Sequence, residues 1–432
     1  MRLSNTLTRR LDQLPDPPGP IRMYFCGPTV YQRIHVGNAR PFVVSMWLKR
    51  WLEANGYDVT LVENITDIND KIYAAAPGAS AQLAEGASQW YVEDTDALGL
   101  GRPDREPKAS ETIPEIVSLI EELIGRGLAY PSGGDVYYRV SRYDDYGALS
   151  RRQDEVAQHN PSEEQEPSEL KDDPRDFALW KAHKEGEDTW WESPWGRGRP
   201  GWHIECSAMA EQFLGPEFEI HGGGLDLVFP HHENEIAQSR GAGREFAKIW
   251  MHNGMLRLSG EKMSKSLGNI VSLRDALDSW GRETLLLYFM TAHWRKPIDF
   301  SDAAMTQAKA QVETFRNAFL DNEFEGLSRV LPEALEDVLN DDFNTAAALA
   351  LMHSWRDERR MDLVYSCLDL FGLASLADED AAPGEIINMA DARQRARGVK
   401  NFAEADRIRT EIEAAGWDVR DIWNGYRLVR KR

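Results

Sequence analysis

Cysteine is scarce, with three residues in a chain of 432. So few, and an odd number, argue against a disulfide framework and for a reducing compartment, so a cytoplasmic location is expected. Long apolar runs are missing too: none reaches the ~20 residues that a membrane-spanning helix needs, and no membrane association is expected. The first ten residues lack the apolar core and small-residue cleavage site of a secretory signal. Positive charge is in deficit, 50 Lys and Arg against 71 Asp and Glu, a formal net of −21. That balance argues against a general polyanion binder, which is normally basic.

What remains is the composition of a soluble globular enzyme, 42% apolar and 28% charged, long enough for two or three domains. The charge is uneven. Residues 311–390 carry 17 acidic and 5 basic side chains, and residues 391–432 carry 7 acidic and 11 basic ones. A basic end on an acidic body permits a directed contact with a nucleic acid, although a solubilising tail would look the same.

The chemistry is concentrated in Gly201-Trp-His-Ile-Glu-Cys206, His221-Gly-Gly-Gly-Leu-Asp226 and Phe229-Pro-His-His-Glu-Asn-Glu235. A soft thiolate, imidazoles and carboxylates this close are the donor set of a zinc site. His231 and Glu235 stand at i and i+4 and share a face if a helix starts after Pro230. A lone pair of that kind is usually a satisfied surface pair. The metal reading gains from a second thiol, Cys26, which the fold could bring close.

Ile21–Cys26 reads as a strand, the segment from Phe42 to Leu52 as a helix that Gly56 stops, and Tyr57–Asn64 as a second strand. Strand, helix and strand within about forty residues make a βαβ unit and predict a parallel sheet. In such a unit the loop after the first strand opens onto the ligand crevice. His35, Gly37 and Asn38 stand where the helix begins, an anion site built from backbone N–H groups and the helix dipole. Ile65–Lys71 is polar at the second strand's carboxyl end. Phe218–His221, Lys248–Asn253 and Met255–Leu258 are expected to complete the sheet. Gly260-Glu-Lys262-Met-Ser-Lys265-Ser-Leu-Gly268 suits a clamp on a polyphosphate. Residues 151–175 read as a charged loop, 81–130 and the region from Thr306 as mainly helical, 378–384 as a linker and 391–415 as one helix. Cys367 has apolar neighbours and reads as inert.

Cys26-Gly-Pro-Thr-Val-Tyr31, His35-Val-Gly-Asn38, Asn64-Ile-Thr-Asp67, the three segments between 201 and 235, and Lys262-Met-Ser-Lys265-Ser266 stand in one order. In that order the sequence closely resembles the cysteinyl-tRNA synthetases, a family of class I aminoacyl-tRNA synthetases. The likeness runs over nearly the whole chain and is specific over 21–72 and 200–270. It implies an α/β fold, a Rossmann-type parallel-sheet catalytic domain with an inserted subdomain, followed by an α-helical carboxy-terminal bundle. The expected divisions are the first half of the catalytic domain (1–96), an insertion (97–199), the second half with the metal site (200–257), the lysine loop and stem-contact region (258–310), a helical bundle (311–384) and a small basic anticodon-binding module (385–432).

The resemblance implies zinc, one per chain, on Cys26, Cys206, His231 and Glu235. It implies cysteine contacts at Gly27, Thr66, Trp202 and His221, and ATP contacts at Thr29, His35, Gly37, Asn38, Gly224, Asp226 and Lys265. His35, Asn38, Lys262 and Lys265 are the implied catalytic group. Asn38 stands where the class pattern has a second histidine, so it can hydrogen-bond a phosphate or ribose but carries no charge. The implied partners are ATP with magnesium, L-cysteine and tRNA(Cys), and the implied state is a monomer. The implied reaction forms cysteinyl-adenylate and passes cysteine to the tRNA 3′ end. Two rivals are weighed: a ligase of the mycothiol pathway joining cysteine to an amino-sugar, and a non-catalytic tRNA-binding paralogue.

Overall fold

The computed structural model describes residues 1–151, 168–258, 261–262, 270–321, 331–378, 382–422 and 425–430. The lysines' neighbourhood at 263–269 and most of the charged loop expected at 151–175 therefore lie outside the described residues. The chain divides into two compact units, one of residues 1–315 and 324–373, the other of residues 316–323 and 374–432.

The first unit is built on four parallel strands, in the spatial order Phe246–Asn253, Glu217–Gly224, Pro20–Phe25, Asp58–Glu63. The strands are apolar on both faces because both are covered: Met23, Tyr24, Leu61, Val62, Ile220 and Trp250 are all buried. From Pro20–Phe25 the chain crosses through the helix Val36–Ala54 to the neighbour on one side, and much later enters the neighbour on the other. That change of direction opens a crevice at the carboxyl ends of the strands, where ligands of open α/β sheets bind. Trp47 and Trp51 of the crossover helix are fully buried, and Gly56, at φ +83°, takes the left-handed turn that releases the chain into Asp58–Glu63.

Between the two halves of this sheet in sequence stands a second, antiparallel sheet, in the order Ala129–Ser132, Asp135–Tyr138, Phe177–Ala182, Gly198–Pro200. The segment Leu256–Leu258 does not complete the parallel sheet as its sequence suggested. It pairs instead with Ile298–Phe300 and with Glu261–Lys262. The turn at Gly254 diverts it, because the Gly254 N–H is held by the Trp294 carbonyl at 2.8 Å and a Cβ there would lie 2.3 Å from the Lys296 carbonyl oxygen. Arg40, buried in the crossover helix, pins this turn by donating to the carbonyls of Gly254, Lys296 and His293 at 2.6, 2.7 and 3.1 Å. Burial brings its guanidinium down to about 10.

The second unit corrects another expectation. Residues 391–415 are not one helix but parts of two, Gly384–Gly398 and Phe402–Ala414. Lys400 adopts φ +63°, and Asn401 caps the second helix by accepting the Glu404 N–H at 3.3 Å. The basic end is a hairpin, Trp417–Ile422 with Gly425–Arg430. Ile386, Ala390, Ile408, Ile412, Trp417 and Val419 close a small core under it.

Asp421 of this hairpin accepts from Arg393 at 2.7 and 3.1 Å and pairs with Arg397. The Arg393 hydrogen bonds, ahead of the Arg397 pair, hold its carboxyl at about 2 against an ordinary 3.8. A depressed carboxyl adds stability above its ordinary value and loses it as pH falls through the depressed one. The amide-exchange protection of Trp417–Ile422 is therefore expected to stay flat above pH 4 and to fall between about 4 and 2, and Asp421→Asn is expected to remove that step. The step is small, because the Asp421 side chain is 43% exposed and solvent screens the pair.

Candidate active site and metal centre

The carboxyl ends of the central strands deliver the first donors. Cys26 follows Pro20–Phe25, and its N–H donates to the Gly222 carbonyl at 3.0 Å. His221 comes from Glu217–Gly224, and Cys206 from the second turn of the helix Trp202–Leu214. His231 and His232 sit in a widened turn, Val228–His232, in which Phe229 leaves helical geometry (φ −141°, ψ 132°), and Glu235 lies in the first turn of the helix Glu233–Gly241.

These side chains converge. Cys26 Sγ lies 3.9 Å from Cys206 Sγ, 3.5 Å from His231 Nε2, 3.6 Å from Glu235 Oε1, 3.3 Å from His232 Nε2 and 3.6 Å from His221 Nε2. His231 Nε2 is 2.9 Å from Glu235 Oε1, and His221 Nε2 is 3.2 Å from Glu235 Oε2. Cys206, His221, His231, His232 and Glu235 are all buried, and all three cysteines of the chain are free. Burial pushes the Cys26 thiol and the Glu235 carboxyl well up, and holds His203, His221 and His232 well down. At Cys206 burial acts upward too, but the hydrogen bond with Cys26 and the neighbouring His231 outweigh it and leave the thiol at about 7.

Burial thus opposes ionisation of Cys26 and Glu235. A divalent cation reverses that by stabilising thiolate and carboxylate together. Cys26, His231, His232 and Glu235 form a group whose donor atoms all lie within 4.8 Å of one another and could hold a metal ion. The distances also test Cys206 as a corner. Bonds of ~2.3 Å to sulfur and ~2.0–2.2 Å to nitrogen or oxygen give tetrahedral edges of about 3.8 Å between sulfurs and about 3.5 Å from sulfur to nitrogen or oxygen. The separations of 3.9, 3.5 and 3.6 Å from Cys26 to Cys206, His231 and Glu235 match. The three edges from Cys26 thus suit Cys206, His231 and Glu235 as its neighbours around one ion, with the His231–Glu235 pair, at 2.9 Å, drawn closer than its edge of about 3.4 Å.

The residues around the cluster orient it. Trp202 stacks on His231 with ring centroids 4.2 Å apart, and His203 Nδ1 meets His231 Nδ1 at 2.9 Å. His231 thus turns Nε2 to the cluster. Gly27 donates its N–H to Asn64 Oδ1 at 3.0 Å, Asn64 Nδ2 donates to Thr66 Oγ1 at 3.1 Å, and Thr29 and Thr66 are bridged. So Gly27, Thr66, Trp202 and His221 lie against the two sulfurs or one residue away from them, and Thr29 follows behind Thr66.

His35 caps the crossover helix: its Nδ1 accepts the Asn38 N–H at 3.2 Å. An accepting Nδ1 leaves the proton of the neutral ring on Nε2, which makes His35 a donor on its other side. Gly37 packs beside Leu256, and a Cβ there would lie 2.9 Å from His35 Nδ1. Gly224 ends its strand, paired with Asn253, and Asp226 folds its carboxylate back over it. Lys262 stands opposite Arg257 in the short hairpin, and Lys265 lies outside the described residues.

Sequence reasoning missed His232 because adjacent helical residues point about 100° apart, so His231 and His232 would not share a site on a regular helix. The widened turn removes that objection, and only the tandem His-His hinted at it. His203, His252 and Asn64 were missed because their roles depend on contacts between distant segments. His252 Nε2, for instance, meets His232 Nδ1 at 2.7 Å.

A parallel sheet with an antiparallel insertion, a histidine-capped first crossover helix and this cluster at the strands' carboxyl ends define a class I aminoacyl-tRNA synthetase. The family described as "tRNA synthetases class I (C) catalytic domain" matches residues 15–310. The chain is 41% identical to the cysteine--tRNA ligase of Caldicellulosiruptor saccharolyticus over 466 aligned residues, covering 100% of both. It is 43% identical to that of Cupriavidus pinatubonensis, covering 96% of each, and 42% identical to that of Geobacillus thermodenitrificans, covering 100% of this chain and 99% of the relative. Among solved structures, its fold is similar to Mycobacterium tuberculosis methionyl-tRNA synthetase in complex with methionyl-adenylate (TM-score 0.56, 18% identity, 91% of this chain and 88% of that one). It is also similar to the LeuRS of Agrobacterium radiobacter K84 (TM-score 0.58, 12% identity, 84% of each chain). The chain belongs to the cysteine--tRNA ligase family and is an enzyme of class I. Among the described residues, no helix is long and apolar enough to cross a membrane.

Gly27 offers a direct check of the strand-end geometry. A Cβ there would lie 1.7 Å from the Asn64 carbonyl oxygen, which is backbone and cannot swing away. Gly27→Ala is expected to lower stability in urea by about 1–3 kcal/mol and to weaken cysteine binding in calorimetry more than ATP binding.

Proposed function

We propose that the protein activates L-cysteine with ATP, releasing pyrophosphate, and transfers cysteine from the adenylate to the 3′ end of tRNA(Cys). The observation that carries this is the convergence of Cys26 and Cys206, 3.9 Å apart, with His231 and Glu235 at the carboxyl edge of the sheet, in a chain of this family. Cys26, Cys206, His231 and Glu235 would hold zinc. When bound, zinc would supply a soft Lewis-acid partner for the substrate's sulfur that a hydroxyl matches poorly. A pocket that relied on shape would separate cysteine from serine by only ~1–3 kcal/mol.

The remaining roles belong to the chain's own groups. Trp202 and His221 wall the side-chain pocket. Thr66 and the Gly27 backbone hold the substrate's backbone end, and burial excludes water that would hydrolyse the adenylate. His35 donates from Nε2 to the ATP phosphates, beside the N–H groups of its helix. Thr29, Gly37, Asn38, Gly224 and Asp226 seat the nucleotide. Lys262 and Lys265 neutralise the charge that builds on the leaving pyrophosphate, and magnesium arrives with ATP. The chemistry is mainly positioning and charge stabilisation, so no residue needs to form a covalent bond.

Cysteine-dependent ATP–pyrophosphate exchange followed by charging of tRNA(Cys) tests the reading. Exchange without transfer to tRNA, but with transfer to an amino-sugar, would overturn it. Metal analysis tests the donor set separately. Purified protein is expected to carry one zinc, Cys206→Ser to lose most of it, and His232→Asn to retain it. The reverse pattern would place His232, not Cys206, at the fourth corner.

A further inference from the structure

Three charged side chains that this chemistry does not use meet behind the His35 turn. Asp94, on the helix Ser80–Asp96, is fully buried. Its Oδ1 accepts from Arg33 Nη1 at 2.6 Å and from Arg274 Nε at 2.9 Å. Arg33 lies two residues before His35, with its guanidinium over the ring of Trp90 at 5.4 Å. Trp90 and Asp94 are i and i+4, so one helix face offers Arg33 both an aromatic surface and an anion. Arg274 belongs to the first turn of the helix Leu273–Trp280, which Ser272 caps by accepting the Asp275 N–H at 3.0 Å. It also donates to the Glu93 carbonyl at 3.4 Å.

The two segments bearing these arginines pair directly through their backbones. The Val36 N–H donates to the Val271 carbonyl at 3.0 Å, and the Leu273 N–H donates to the Ile34 carbonyl at 2.8 Å. His35 therefore sits on a short two-stranded link, and the Asp94 carboxylate joins both of its sides from a third element. A buried carboxylate shared by two guanidiniums is directional as well as attractive, because the planar forks fix the orientation of what they hold. Both arginines are about one third exposed (34% and 33%), which softens the pair's contribution to global stability. What the bridge constrains is aim: the direction of His35 Nε2 and of the first N–H groups of Val36–Ala54.

We propose that Asp94 is a positioning residue for adenylate formation, acting through Arg33 and Arg274 on the His35 turn. This rests on the reading that His35 engages ATP. Asp94→Asn keeps the shape of the side chain and removes the charge that joins the two arginines. In cysteine-dependent pyrophosphate exchange, the variant is expected to lose about 100-fold in kcat/KM for ATP, the scale of a misaimed catalytic group, while KM for cysteine is unchanged. In an Arg33→Gln/Arg274→Gln background, Asp94→Asn is expected to add almost nothing, because the three side chains act as one unit. Wild-type ATP parameters in Asp94→Asn, or a loss that falls equally on both substrates and follows the thermal midpoint, would overturn the proposal. Should Asp94→Asn fail to fold, Arg33→Gln and Arg274→Gln are judged by the same split between the ATP and cysteine parameters. Absence of exchange in the wild-type protein would instead defeat the functional reading, so the two failures are distinguishable.

Discussion

A buried thiol, buried imidazoles and a buried carboxylate gather round the partly buried Cys26, and that burial constrains the rest of the first unit. Burial drives four of these groups towards their neutral forms, as the rise at Cys26 and Glu235 and the fall at His221 and His232 show. Without a cation the cluster is a set of polar groups held by weak mutual hydrogen bonds of 3.3–3.9 Å at sulfur. With a dication the same desolvation strengthens every contact, because charge at short range counts for most where the dielectric is low. The parallel sheet brings the donors together by setting Cys26, just past the end of Pro20–Phe25, near His221 within the adjacent strand Glu217–Gly224.

The elements around the cluster are explained by that convergence. Gly27 is glycine because the backbone at Asn64 occupies the space of a Cβ. The turn Val228–His232 departs from helical geometry at Phe229, and so two consecutive histidines reach the same sulfur. Trp202 and His203 follow one another at the start of a helix, one stacked on His231 and the other bonded to it. The ligand's orientation is thereby set by residues that need not touch an ion themselves. The His35 turn stands apart from the cluster: it caps the helix Val36–Ala54 and is held by backbone pairing and by a buried carboxylate.

Much of this was legible in the chain because the signals were local. The βαβ unit announces itself through apolar strands, helical periodicity and Gly56, and the observed strands differ from the expected ones by one residue at each end. His231 and Glu235 could be paired from the helical repeat alone. Cys26 could be joined to Cys206, 180 residues away, only as a candidate, and the resemblance to a family chose it. Local signals failed where a tertiary contact decided the outcome. Leu256–Leu258 is a strand, but Gly254 and Arg40 send it to another sheet. Residues 391–415 carry an unbroken helical pattern, yet Lys400 takes a left-handed conformation and Asn401 starts a new helix. Asp94 gave no signal, since its role exists only when Arg33 and Arg274 meet on it.

The small unit shows how far a count of charges can be carried. Residues 391–432 have a surplus of four positive charges, which suits an approach to nucleic acid. Several of those cations are already engaged within the unit. Arg393 and Arg397 hold Asp421, Arg407 holds Glu404 and Glu411, and Arg409 holds Glu413. Residues 316–323 and 374–390 of the same unit, with six acidic and one basic side chain, bring the unit as a whole to −1, and pairing leaves that sum unchanged. It does use the guanidinium donors that would grip phosphates one by one. The positive surplus is thus local to residues 391–432, in a chain whose overall charge is −21, and most of the guanidiniums that make it up are already engaged by neighbouring carboxylates.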